Sequence, residues 1–314
     1  MLVVATLGAL FALGPTPTTQ VNETTFNPSS DLSELEKAVA KTEGTHLDIT
    51  PGAEKTFVWH NNKQEKTPLS VVYLHGFSAT RQEIAPVAQR VGEQLGANVF
   101  LTRLVGHGRS SEAMQEVTLQ RLIDDAREAL HIGNQIGHRT LLIGTSTGAT
   151  LALWLLNDKA SKNILGAALV SPNLKIKNPI ATALTWPWAD YWVPMVAGQT
   201  YSWEPRDERH AKYWTTRYPT RALLPMAALT KVVNNSKHAH LSAPALVLYA
   251  PDDAVVDATA TTDYFARAQG APSTLVTIED SQDEHQHVIA GDIRSPSTTE
   301  HVTRLIVEFA KRLR

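Results

Sequence analysis

The chain contains no cysteine, and that absence excludes several chemistries at once. Without thiols there is no disulfide framework, no thiolate metal site and no cysteine nucleophile. The compartment stays open, because a cysteine-free chain folds alike in reducing and oxidising surroundings. An excess of one charge is missing too. Against 29 Lys and Arg stand 31 Asp and Glu, a net charge of −2, so no basic field invites nucleic acid. Long apolar runs are scarce: Met1–Gly14 (MLVVATLGALFALG) stands out, closed by Pro15 and Pro17. As a helix rising about 1.5 Å per residue it would reach roughly 21 Å, short of the roughly 30 Å hydrocarbon core of a bilayer. It fits the apolar region of an export signal better than a span, although no basic residues precede it and no small-x-small cleavage pattern follows. Residues 1–14 are therefore expected to export the chain or tether it to a membrane. Packing of this run on the domain, in a cytoplasmic protein, is the alternative.

What is present is ordinary for a packed globular protein: 314 residues, 43% hydrophobic and 19% charged, enough for one large domain or two average ones. Residues 15–30, rich in Pro, Thr, Asn and Ser, read as a linker. Residues 31–44 predict a short helix capped by Asp31 or Ser30, with Leu32, Leu35 and Val39 on one face and Gly44 at its end. Short apolar runs predict strands at 57–59, 69–74, 98–104, 140–144, 165–170, 245–250 and 274–278. Helical stretches fit 80–95, 118–136, 147–157, 258–269 and 298–313. Such alternation predicts an α/β fold, a mostly parallel sheet flanked by helices. Residues 172–242 break the pattern: they hold five of the seven Trp and little strand signal. The expected organisation is an N-terminal segment over 1–50, a core made of 51–171 and 243–314, and an insertion over 172–242.

The sharpest motif is Gly144-Thr145-Ser146-Thr147-Gly148. Alone, G-x-S-x-G is common and weak. Here it follows the buried run Leu141-Leu142-Ile143 and opens a helical stretch, the strand–turn–helix setting that presents a serine as a nucleophile. A serine hydroxyl needs a base, and in this arrangement an acid and then a histidine follow it in the chain. The strand ending at Ala250 runs into Pro251-Asp252-Asp253-Ala254-Val255-Val256, so Asp253 is the expected acid and Asp252 its competitor. The loop after the last strand contains Glu284-His285-Gln286-His287-Val288-Ile289, so His287 is the expected base and His285 its competitor. The spacings His285-x-His287 and His238-x-His240 offer two metal ligands but no third, so neither a metal nor another cofactor is expected. Acyl transfer also needs an oxyanion hole. The Thr147 N–H supplies one donor and the Phe77 N–H, in Leu74-His75-Gly76-Phe77, the other. His75 is expected to support that loop rather than react.

These segments, with Leu104-Val105-Gly106-His107-Gly108, resemble the α/β-hydrolase superfamily, and within it the bacterial carboxylesterases and monoacylglycerol-lipase-like enzymes. The resemblance covers roughly residues 55–313. It implies an eight-stranded, mainly parallel sheet, a helical lid inserted after the sixth strand and matching 172–242, and a structural role for Gly106, His107 and Gly108. Thr145 and Thr147 depart from the family pattern, where His, Met or Gly are commoner. The implied activity is hydrolysis of small-molecule or lipid carboxylic esters, with thioesters or deacylation of lipids as the alternative and a non-catalytic binding protein as the remote one. Trp186, Trp188 and Trp192 of the insertion are candidates for substrate contact, though a small module also needs aromatics to build its own core.

Overall fold

Strands that read as unbroken apolar runs have both faces covered, and their alternate side chains feed two separate cores. Val71 and Tyr73 point into a cluster with Val91, Leu95, Val302 and Ile306, whereas Val72 and Leu74 join Leu122, Ala126, Leu151 and Leu155 on the other face. Each such side chain contributes roughly 1.5–3 kcal/mol on burial. The structure is a computed structural model and describes residues 11–26, 31–235 and 239–314.

The elements follow one another as α1 (Leu32–Glu43), β1 (Thr56–Val58), β2 (Thr67–Leu74), α2 (Val87–Leu95), β3 (Asn98–Leu101), α3 (Leu119–Ile136), β4 (Gly137–Thr145), α4 (Thr147–Asn157) and β5 (Ile164–Val170). Between β5 and the next strand of the main sheet lie α5 (Ala189–Val196), β6 (Thr200–Ser202), α6 (Glu208–Tyr213), β7 (Arg217–Pro219), α7 (Leu223–Asn235) and β8 (His240–Leu241). The core then resumes with β9 (Ala245–Tyr249), α8 (Ala258–Arg267), β10 (Gln269–Gly270), β11 (Ser273–Thr277) and α9 (Pro296–Arg312).

The main sheet runs β1-β3-β2-β4-β5-β9-β11. All its pairings are parallel except β1 with β3. The sheet has seven strands among the described residues, not the eight that the resemblance implied; the described residues before β1 form helix, turns and irregular chain and no further edge strand. Residues 172–242 come after the fifth strand of this sheet in chain order. Two short ribbons, β6 with β7 and β8 with β10, lie outside it.

Local signals account for the element ends. Asp31 caps α1, its carboxylate accepting the Ser33 and Glu34 amides. Ser30, the other candidate cap, and Met1–Leu10 of the apolar run lie outside the described residues. The expected helix over 80–95 begins only at Val87, because Pro86 lacks an N–H and turns, not helix, lead up to it. Among the described residues, no helix is long and apolar enough to cross a membrane.

Parallel strands end on the same edge of a sheet, and loops at that edge converge. Here the loops after β2, β4, β9 and β11 carry Phe77, Ser146, Asp253 and His287 in turn.

Candidate active site

Ser146 sits between β4 and α4 with φ 52° and ψ −116°, a conformation that costs a residue with a side chain about 1–3 kcal/mol and persists only when its surroundings impose it. They do so. The Ser146 amide donates to Val170 O at 2.9 Å, and its carbonyl accepts from the Asn173 amide at 3.2 Å. The two elbow glycines allow the close packing that the turn requires. A Cβ on Gly144 would lie 2.5 Å from Gly148 O, and one on Gly148 would lie 2.0 Å from Leu74 O. The end of β2, and with it the His75–Phe77 loop, is thereby drawn against the serine.

His287 Nε2 lies 2.9 Å from Ser146 Oγ, and its Nδ1 lies 2.7 Å from Asp253 Oδ2. The other Asp253 oxygen accepts the Val255 and Val256 amides at 2.7 and 2.8 Å, so the two valines anchor the acid through their backbone. All three residues are buried. Burial is the largest influence on His287 and favours the neutral ring, but the Asp253 carboxylate, with Glu83 and Asp283 farther off, outweighs it and raises the pKa. The competitors lie elsewhere: Asp252 is exposed, and His285 stands in solvent 3.7 Å from Glu284.

A second carboxylate, not singled out from the sequence, positions the base. Asp283 Oδ2 accepts the His287 and Val288 amides at 3.0 and 2.9 Å, while Oδ1 pairs with the buried Arg294. Burial alone would raise the Asp283 pKa, yet the Val288 amide, Arg294 and the His287 amide bring it below the usual carboxylate range. Arg294 also reaches His210 of α6, Nη1 to Nδ1 at 3.1 Å, which joins the insertion to the loop that carries the base. Burial and the neighbouring Arg294 push His210 down to about 4, so it is neutral at pH 7. Asp283 was hidden in the sequence by the acidic run around it.

Two backbone amides in the loops next to the serine are unengaged: among the described residues, neither the Phe77 nor the Thr147 amide has a protein acceptor. His75 holds the Phe77 donor from behind. Its Nε2 accepts the Leu104 amide at 3.0 Å, which leaves the proton on Nδ1 to donate to Gly76 O at 2.9 Å. Gly76 O belongs to the same peptide unit as the Phe77 N–H. Burial keeps His75 neutral, well below the ordinary histidine range. His107 is buried as well, its ring 5.2 Å from those of His75 and Phe77.

The aromatics of residues 172–242 occupy several different settings. Trp186 and Trp188 are 52% and 39% exposed, and the Trp188 amide donates to Pro15 O at 2.6 Å. Trp192 packs on a small satellite core of Ala189, Val193 and Leu224. Tyr218 of this segment meets Phe77, its ring lying edge-on at 5.6 Å. Tyr218 also lines a cavity of about 680 Å³ with Val117, Leu119, Arg217, Leu224 and Ala228. Nothing in its short ribbon marked Tyr218 in the sequence.

The seven-stranded sheet, the strained serine and the converging loops define an α/β hydrolase. The chain belongs to the family described as serine aminopeptidase, S33 (Hydrolase_4), which it matches over residues 65–282. Over 91 residues it is 32% identical to the thermostable monoacylglycerol lipase of Bacillus sp. (strain H-257); that stretch is 29% of this chain and 36% of the lipase, so the match spans about a third of that relative's length. Solved structures with the same fold include the metagenome-derived lipolytic enzymes LipS and LipT (TM-score 0.69, 18% identity, 84% of this chain and 99% of that one). A soluble variant of monoglyceride lipase from Saccharomyces cerevisiae, in complex with a substrate analogue, gives a TM-score of 0.60 at 14% identity over 96% of this chain and 97% of that one. The monoacylglycerol lipase of Paleococcus ferrophilus gives 0.57 at 14% identity, over 83% of this chain and all (100%) of that one.

Proposed function

We propose that this serine-hydrolase family member cleaves carboxylic esters through Ser146, His287 and Asp253, as a carboxylesterase or monoacylglycerol lipase. The observation that carries the reading is the unbroken hydrogen-bonded line from Ser146 Oγ through His287 to Asp253, at 2.9 and 2.7 Å, beside two amides without protein acceptors. His287 takes the proton as Ser146 attacks the ester carbonyl. Asp253 keeps the ring in the tautomer with Nδ1–H and stabilises the imidazolium. The Phe77 and Thr147 amides hold the oxyanion. His287 then protonates the leaving alcohol and activates water against the acyl-enzyme. Each lost oxyanion donor typically costs about 3 kcal/mol of transition-state stabilisation.

The family's name raises amide substrates as a second reading. An aminopeptidase needs a free carboxylate beside the scissile bond for the substrate's ammonium group. The buried carboxylates of this site are engaged: Asp253 by His287 and two amides, Asp283 by Arg294 and two amides, Glu83 by Tyr73 and the Gly76 amide. That favours esters.

The insertion over 172–242 is assigned as a lid that selects the ester. Tyr218 is its best-placed contact; Trp186, Trp188 and Trp192 would receive an apolar chain at its outer side. Residues 1–14 are assigned as an export or tethering segment. A panel of p-nitrophenyl esters, monoacylglycerols, thioesters and aminoacyl naphthylamides tests the class. Ester turnover that vanishes in Ser146→Ala is the expected result. Turnover confined to the naphthylamides, or an undiminished rate in that variant, would overturn it.

A further inference from the structure

One buried carboxylate near the site has no part in the mechanism above. Glu83 lies in the turn before α2, 2% exposed, and among the described residues no Lys or Arg pairs with it. Its Oε2 accepts the Gly76 amide at 2.7 Å and the Tyr73 hydroxyl at 2.9 Å. The Tyr73 oxygen lies 3.2 Å from Thr145 Oγ1, the residue before the nucleophile. An unpaired ionised carboxylate is costly to bury, so its retention at this place calls for a reason.

The geometry supplies one. Gly76 has no side chain to limit it, and its two backbone torsions set where the Phe77 N–H points. Glu83 fixes the peptide before the Gly76 Cα, and His75 fixes the peptide after it. A Cβ on Gly76 would come 2.6 Å from Glu83 Oε1, so the carboxylate fills the space a side chain would take. Through Tyr73 and Thr145 the same carboxylate ties the oxyanion loop to the nucleophile elbow. We propose that Glu83 is a positioning residue for ester hydrolysis, whose ionised carboxylate aims the Phe77 donor and favours the positive charge that forms on His287. The proposal rests on the reading of Ser146, His287 and Asp253 given above.

The groups that face Glu83 are Tyr73 and the Gly76 amide from the β2 side, and His287 and Asp283 from the loop after β11. Burial pushes its carboxyl up to about 7; the Gly76 amide, Tyr73 and His287 pull it down, and Asp283 pushes it up. Its ionisation therefore falls near neutral pH, and both Glu83 and His287 must lose a proton for full activity.

The test is the pH dependence of kcat and kcat/KM for a short p-nitrophenyl ester in the wild type, Glu83→Gln and Tyr73→Phe, with folding checked by thermal melts and Ser146 checked with a fluorophosphonate. In Glu83→Gln the acid limb should follow a single ionisation, about 10-fold per pH unit, and in the wild type it should carry an additional step of about the factor by which Glu83→Gln lowers kcat. Because Glu83 helps to raise His287, the limb of Glu83→Gln should also lie at lower pH. Its kcat should fall by about 10-fold or more, the range of a weakened oxyanion donor, with KM within about twofold. Tyr73→Phe keeps the Gly76 contact but removes a donor to the carboxylate, so the Glu83 ionisation should move to higher pH. A Glu83→Gln enzyme with wild-type kcat and an unchanged limb would overturn the proposal. Should that variant fail to fold, an unmoved limb in Tyr73→Phe would do so. A wild type that resists the fluorophosphonate would instead bring down the reading of Ser146 itself.

Discussion

The rim of the sheet and the segment inserted beside it are built on opposite plans. At the rim, Ser146, His287, Asp253, His75, Glu83 and Asp283 are all buried, and each is held by more than one hydrogen bond. In the insertion, Ile180, Trp186, Tyr191, Met195 and Val196 are exposed, and its own core is a satellite around Ala189, Val193 and Leu224. Its later part packs inward: Tyr218, Ala222, Ala228, Leu229 and Val233 join one main core and Trp214 the other, His210 meets Arg294, and the Thr215 amide donates to Ser78 O at 2.7 Å. The rim residues are thus enclosed by the sheet and its loops, while the outer part of the segment, around residues 180–196, leaves large apolar side chains at the surface. A closely packed rim transmits any change to the groups it holds, whereas an exposed outer segment absorbs it.

That contrast predicts where substitutions matter, beginning with the largest effect. Asp253→Asn and His287→Ala should each lower kcat by about 10⁴-fold, through loss of the correct tautomer or of the base. Asp252→Asn and His285→Ala, which alter exposed side chains, should stay within about twofold, the reach of ordinary surface changes. Steady-state kinetics on one ester ranks all four, and the reverse ranking would place the acid and base wrongly.

Next comes Asp283→Asn, which leaves Arg294 charged and buried without its partner. Breaking a buried pair costs about 3–5 kcal/mol, measurable by urea unfolding at neutral pH. The Asp283 pKa is lowered by folding, so its contribution is full above the unfolded carboxylate range and fades as pH falls through the folded value. The difference between variant and wild type should therefore shrink in acid. A constant gap from neutral to acid pH would show that the charge is not what stabilises.

The smallest effects belong to the insertion. Tyr218→Ala should change kcat/KM for long acyl chains by about 10-fold relative to acetate, the range of one lost apolar contact in a pocket. Trp186→Ala, at the outer surface, should change stability by less than about 0.5 kcal/mol. Chain-length profiles of the two variants check the pair. A shift in Trp186→Ala with none in Tyr218→Ala would mean that the exposed tryptophans, not Tyr218, receive the acyl chain.

The same contrast governs what could be read from the sequence. The rim was legible because its strands are short apolar runs and its reactive residues follow them in a fixed order. Ser146 after Ile143-Gly144, Asp253 after Ala250 and His287 before Val288-Ile289 are each local signals. Glu83 and Asp283 were not legible, since a carboxylate that accepts backbone amides after the chain has folded leaves no spacing of its own. The seven strands were all visible as runs, and the eighth came from the resemblance alone. The insertion gave only its boundaries and its wealth of tryptophan. Aromatic content says that large side chains are needed, not whether they face a core, a cavity or water. Tyr218 acquires its place from the β6–β7 ribbon, a three-residue pairing too short to announce itself.

The central claim is that Ser146 is the nucleophile, activated by His287. The direct measurement is mass spectrometry of the protein after reaction with a fluorophosphonate, in the wild type, Ser146→Ala and His287→Ala. The account predicts one adduct on the peptide that carries Ser146, absent in Ser146→Ala and formed far more slowly in His287→Ala. An adduct on another residue, or labelling of Ser146→Ala at the wild-type rate, would contradict it.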